Sequence, residues 1–244
     1  MRKYKVLKYH GRPKFITALN LLDTIFIIKP LNLISLFKLV VSYLLAPNLN
    51  GCQLKNHVDK ELMAADYSFD FIVLGKEEDY QKATYIYKNT EEIKKILIFS
   101  SHKEADSFLC NFKEMHEVLK KEVQRADYLK IENVKLITLT NNKVELVTEY
   151  IEGIKYNWFF VLKYLPNILQ KLADDDISTV VIKDFKLHNI VMKGRTLYIY
   201  DLETISIGNW SDSIQFFIDD LKFYSRYGFF CFLLKLKMGD FKGA

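Results

Sequence analysis

Between Val180 and Glu203 the chain reads V-V-I-K-D-F-K-L-H-N-I-V-M-K-G-R-T-L-Y-I-Y-D-L-E, and this stretch constrains the fold more than any other. Two short apolar runs, Ile190–Met192 and Thr196–Tyr200, flank Lys193-Gly194-Arg195. Glycine there permits the positive φ that tight hairpin turns require. The predicted hairpin brings Asn189 and Asp201 together at its open end, with Asp184 alongside in the preceding loop. A carboxylate beside two further oxygen ligands can orient a hydroxyl and hold a hard cation such as Mg2+.

The order of elements upstream fits such a site. Three β-prone runs, Phe69–Leu74, Ala83–Lys88 and Ile93–Phe99, are separated by polar turns and predict an antiparallel meander. Ala105, Phe108, Leu109, Phe112, Met115, His116 and Leu119 then recur at helical spacing, with Ser101 as N-cap and Glu104 completing a capping box. His116 reads as a packed side chain. Strands Lys135–Thr140 and Val144–Glu149 flank Asn141-Asn142, and E-Y-I-E-G (Glu149–Gly153) leads to a helix near Trp158–Ala173. The expected fold class is α+β.

Composition narrows the partners. The formal charge of +5 suits an anionic ligand or a membrane surface, and no basic tract calls for nucleic acid. Cys52, Cys110 and Cys231 are too far apart for a disulfide framework or a zinc knuckle, and Cys110 is expected to be a small buried hydrophobe. Residues 15–46 are apolar, but Asp23, Lys29, Pro30 and Lys38 interrupt them before the roughly 18 apolar residues of a spanning helix accumulate. They read as two amphipathic helices split at Pro30, packed on the protein or lying in a membrane interface. The expected location is the cytoplasm, with peripheral contact to the inner face of the cell membrane as the alternative.

The catalytic stretch resembles the protein-kinase-like superfamily, whose loop reads H-R-D-L-K-P-x-N and whose metal strand carries D-F-G. Here the matching residues are I-K-D-F-K-L-H-N and D-L-E. The resemblance implies ATP and Mg2+ as cofactors, Asp184 as catalytic base, Lys186 as a γ-phosphate contact, and Asn189 and Asp201 as metal ligands. It also implies that Glu149 and Ile151 hold adenine through backbone bonds, and that Asp219-Asp220 braces the catalytic loop. Among bacterial kinases the chain is most similar to the lipopolysaccharide core heptose kinases. That implies a two-lobed kinase-like fold with a short C-lobe and a sugar or lipopolysaccharide-core acceptor. The likeness spans about Phe69 to Lys237, with its specific part between Glu149 and Glu203. The expected divisions are an apolar helical N-terminal extension at 1–60, an N-lobe at 61–150 and a C-lobe at 151–244.

The departures from the family pattern matter as much. Ile182 replaces the motif histidine, Glu203 replaces the glycine after Asp201, and the glycine loop is reduced to Leu74-Gly75. Ile98 falls where the third strand should carry the phosphate-binding lysine. Lys82 on the second strand is the first candidate to replace it and Lys94 the second. The acidic partner is open among Glu117, Glu104 and Glu122. A pseudokinase that binds nucleotide without turnover is the rival reading. A kinase with a protein Ser/Thr or small-metabolite acceptor is the third, favoured slightly by Lys186.

Overall fold

The computed structural model describes residues 2–9, 12–28, 33–63, 68–77, 79–124, 128–151, 167, 179–186 and 189–223. Apart from residue 167, the helix expected near Trp158–Ala173 lies outside them. The chain divides into two compact units, one of residues 1–109 with 133–150, the other of residues 110–132 with 151–244.

The first unit is built on an antiparallel sheet. Strands β4 (Phe71–Lys76), β5 (Tyr80–Tyr87) and β6 (Glu92–Phe99) form the expected meander. Strands β8 (Val134–Thr140) and β9 (Lys143–Glu149) form a hairpin, and β9 pairs antiparallel with β6. Between these groups runs α4 (His102–Val123), within which the boundary of the two units falls. Ser101 caps α4 as expected, its Oγ accepting from the Glu104 N–H at 3.3 Å. The Glu104 carboxylate instead accepts from the Ser100 hydroxyl, so the capping box is only half made. Cys110 is exposed, contrary to expectation, because it falls one residue past Leu109 and off the buried stripe. The fold is α+β, as expected.

The extension departs from an all-helical reading. Residues Leu21–Ile28 and Leu33–Leu45 form α1 and α2 as the sequence suggests. Ahead of them, β1 (Tyr4–Tyr9) and β2 (Arg12–Thr17) form a hairpin that joins the sheet, β2 pairing with β4. Alternating apolar residues explain the hairpin: Tyr4, Val6 and Ile16 are buried and pack with Phe69, Ile72, Tyr85, Ile96 and Ile98. The short strand β3 (Asn48–Leu49) pairs with β1, and α3 (Gly51–Leu54) follows under an Asn50/Gln53 capping box. Leu54, Val58 and Leu62 belong to the same core cluster, so residues after α3 cover the Ile96/Ile98 face of the sheet.

In the second unit, β11 (Ile190–Lys193) and β12 (Thr196–Ile199) form the expected hairpin, and β7 (Leu129–Ile131) lies parallel to β12. Lys193 faces Thr196 across a two-residue turn, with Gly194 at φ +63°. Strand β10 (Val180–Ile182) pairs with β13 (Ile205–Ile207), and α5 (Trp210–Phe223) packs beside β10.

Candidate active site

The loop that leaves β10 is held at each step by backbone-directed contacts. Ile182 donates its N–H to the Ser213 hydroxyl at 2.9 Å, and Asp184 donates its N–H to the Thr204 hydroxyl at 2.9 Å. Phe185 is fully buried, its ring 5.6 Å from that of Trp210 and 5.1 Å from that of Phe217. The aromatic anchor pins the loop from below while Asp184 and Lys186 on either side stay half-buried and form an ion pair. Ile182 takes the motif histidine's place as a buried strand residue paired with Ile205.

Asn189 closes the loop. Its N–H donates to the Lys186 carbonyl at 3.0 Å, and its Nδ2 donates to the Asp184 carbonyl at 2.9 Å. The side chain is buried, and this bond leaves Oδ1 as its acceptor atom. Across the hairpin, Tyr200 donates its N–H to the Asn189 carbonyl at 3.0 Å, which sets Asp201 one residue beyond. Asp201 has φ 65° and ψ 49°, a left-handed conformation that costs a non-glycine residue about 1–2 kcal/mol. Strain of that kind persists where surrounding contacts over-determine it, and it collects at functional sites.

Those contacts include a residue that sequence reasoning missed. Glu132 is buried after β7, and its Oε1 accepts from the Leu202 N–H at 3.1 Å, immediately after Asp201. Its own N–H donates to the Ile199 carbonyl at 2.8 Å, and its carbonyl accepts from His116 Nε2 at 3.2 Å. His116 is thus a packed, hydrogen-bonded side chain, as its place on the stripe implied. The only sequence signal for Glu132 was an acid next to a short apolar run, which is also how a solvated loop reads.

A brace for the catalytic loop also comes from Ser213, nearly two turns before Asp219-Asp220. Ser213 holds the Ile182 amide, whereas Asp219 is exposed and accepts from Gln215 Nε2 at 2.9 Å. The helical phase of α5 puts Ser213 and Phe217 on the buried face and Asp219 off it.

Asn189 and Asp201 offer two oxygen ligands at the end of a rigid hairpin. Among the described residues no three His, Cys, Asp or Glu side chains cluster as metal ligands. A pair of protein oxygens fits Mg2+, which keeps its waters and takes phosphate oxygens instead of an all-protein cage.

The nucleotide candidates of the first unit are sorted by strand register. Ile98 sits on the face closed by Leu54, Val58 and Leu62, so its apolar side chain belongs to that core. Lys94 is on the same face and bonds Glu145 at 2.8 Å. It is therefore a structural ion pair, and its place in the candidate phosphate set falls. The opposite face carries Lys82, Thr84 and Lys95, with Lys82 opposite Leu97 and Lys95 between Thr84 and Leu146.

Lys95 is a further residue the sequence reading missed: it is 2% exposed, in the middle of β6. Two pairs along on that face, opposite Ile93, lies Thr148, whose buried Oγ1 has no hydrogen-bond partner among the described residues. A buried unsatisfied hydroxyl costs about 1–3 kcal/mol, so a ligand donor or acceptor there would relieve it. Lys82 stands opposite Gly75, where an added Cβ would meet only the Lys82 Cβ at 3.8 Å. Space does not require glycine there.

Next to Thr148, on the candidate hinge, Glu149 is exposed and its N–H donates to the Asn133 carbonyl at 3.2 Å. Tyr150 donates to the Glu91 carbonyl at 2.7 Å, and Ile151, half-buried, follows. Of the proposed acidic partners, Glu104 and Glu117 are exposed, and Glu122 accepts from the Thr179 hydroxyl.

No protein-family model matches the chain, and no curated protein does. Among solved structures, amicoumacin kinase hAmiN in complex with AMP-PNP, Ca2+ and Ami matches at a TM-score of 0.46 with 9% identity. The match covers 78% of this chain and 79% of that one. A likeness of this size carries nothing about activity or substrate.

Proposed function

We propose that the protein is an ATP- and Mg2+-dependent phosphotransferase acting on an alcohol hydroxyl. The observation that carries this reading is the braced loop in which Asp184, Asn189 and Asp201 occupy one hairpin end, with Asp201 held left-handed. Asp184 orients the acceptor hydroxyl and takes its proton, and Lys186, already paired with Asp184, meets the γ-phosphate. Asn189 and Asp201 hold the metal, which when bound neutralises charge on the phosphates.

On the sheet, Lys95 and not Ile98 supplies the cation toward the α- and β-phosphates, with Lys82 as a neighbour on the same face. The Glu149 carbonyl and Ile151 amide hold the adenine edge. Support for a cell-envelope sugar, such as a lipopolysaccharide-core heptose, comes from the motif resemblance of Glu149–Glu203 alone.

The test is calorimetry with ATP in the presence and absence of Mg2+, followed by turnover with Asp184→Asn. The expected result is Mg2+-dependent binding that survives the substitution, with turnover lower by roughly 10²–10⁴-fold. Absence of binding at millimolar ATP would reject the reading. Binding without turnover in the wild type would make the protein a pseudokinase.

A further inference from the structure

The charge of this chain is unevenly distributed. Nine of its 35 Lys and Arg lie in residues 1–55, where Asp23 is the only acid among the 30 Asp and Glu. The remaining residues therefore hold 26 basic against 29 acidic side chains. The basic segment also displays the most exposed apolar side chains of α1 and α2: Leu22 at 68%, Phe37 at 69%, Leu44 at 66% and Leu45 at 78%.

These residues are not scattered. In α2, Phe37, Val41, Leu44 and Leu45 stand at i, i+4, i+7 and i+8, which is one helical stripe, and exposed Lys38 borders it. Leu39, on the other side of the helix, is buried, and the Tyr43 hydroxyl donates to the Leu19 carbonyl at 2.9 Å. So α2 uses one face to pack on its own unit and turns a second apolar face outward.

We infer that this outward face of α2 seats in the interface of an anionic lipid surface. Thirteen residues at 1.5 Å each give about 20 Å, short of the roughly 30 Å hydrocarbon core, so the helix lies in the plane of the surface. Among the described residues no helix is long and apolar enough to cross a membrane. The stripe is wholly hydrocarbon, with a lysine at its edge whose stem can stay apolar while its ammonium reaches headgroups.

The basic residues divide by use. Arg2 pairs with Asp70, and Lys5 donates to the Ala46 carbonyl at 2.7 Å while lying over the Tyr43 ring, so both serve the fold. Lys3, Lys8, Lys38 and Lys55 are exposed and remain for lipid phosphates. A segment of one charge sign with an apolar stripe matches an anionic bilayer in both respects, and this inference does not depend on the phosphotransferase reading.

Co-sedimentation of the full chain with vesicles of phosphatidylcholine, with and without phosphatidylglycerol, tests it. The wild type is expected to bind the anionic vesicles at low salt and to lose most of that binding at high salt. The triple variant F37S/L44S/L45S, with an unchanged circular-dichroism melt, is expected to bind at least tenfold more weakly. F37W is expected to blue-shift its emission on anionic vesicles. No binding to anionic vesicles, equal binding by the triple variant, or no shift in F37W would overturn the proposal. Concentration-dependent self-association without lipid, abolished by the same triple variant, would assign the face to a second copy of the chain instead.

Discussion

A lysine in the middle of a strand is tolerated at 2% exposure only if its charge is matched, because an unpaired buried ammonium costs several kcal/mol. Lys95 has an interaction partner in the fold, and a phosphate arriving on the same face would add a second. Lys95→Met keeps the volume of the side chain and removes the charge. It should therefore weaken ATP binding by tenfold or more, about 1.4 kcal/mol, while Lys94→Met leaves binding unchanged. Isothermal titration of the two variants decides. Equal loss in both would return Lys94 to the site.

Lys94 has its own readout. Burial alone would push the Glu145 carboxyl up, but hydrogen bonds and charges from Lys143 and Lys94 outweigh it and hold Glu145 below its ordinary value. A carboxyl whose folded pKa is depressed stabilises the fold above its unfolded pKa and loses that contribution as pH falls through the folded one. Removing Lys94 should cost about 0.5–1 kcal/mol at neutral pH, as half-exposed ion pairs do. The gap between wild type and Lys94→Met in urea melts should close in that acid range. A gap unchanged at low pH would mean the pair does not act through Glu145 ionisation.

The elements around the site show why the sequence was legible where it was. The hairpin 190–199 and the meander could be read because alternation, turn glycine and apolar runs are local signals. The placement of Asn189 and Asp201 at the two ends of that hairpin could be read for the same reason. Lys95 could not, since choosing which of two adjacent lysines is buried needs the register of β6 against β5 and β9. An odd-numbered offset exchanges the two faces, and Ile98 lies three residues from Lys95 on the other face. Ser213 and Glu132 were missed for a related reason: each acts on a backbone amide far away in sequence.

The pairing of β10 with β13 leads to a prediction at this scale. Gly208 follows β13, and a Cβ there would lie 2.6 Å from Val181 Cγ1 and 2.9 Å from its Cβ. Val181 is buried and cannot swing into solvent. Gly208→Ala should destabilise by about 1–3 kcal/mol, the usual cost of overpacking. Adding Val181→Ala should recover part of that loss. A Gly208→Ala melt identical to wild type would show that β10 and β13 can separate without cost, and with them the support of the catalytic loop.

At the scale of the whole molecule, the first 17 residues are part of the scaffold and not an appendage. Strand β2 covers the edge that β4 would otherwise present, and unpaired edges invite association. Tyr4, Val6 and Ile16 fill the core beside Phe69, with the Tyr4 and Phe69 rings 4.8 Å apart and Phe69 and Tyr85 at 5.4 Å. Arg2 pairs with Asp70, whose carboxylate also accepts the Lys88 amide at 2.7 Å. Three buried side chains at about 1.5–3 kcal/mol each amount to much of the roughly 5–15 kcal/mol that stabilises a domain. Deleting residues 1–17 should therefore abolish the cooperative melt and the near-ultraviolet circular dichroism, with loss of solubility. Substituting the outward stripe of α2 should leave both signals intact, because those side chains already face solvent. If the deletion variant melts cooperatively near the wild-type midpoint, the hairpin is an ornament on the sheet. Any loss of lipid binding in the α2 variants must then be read against a scaffold that ends at β4.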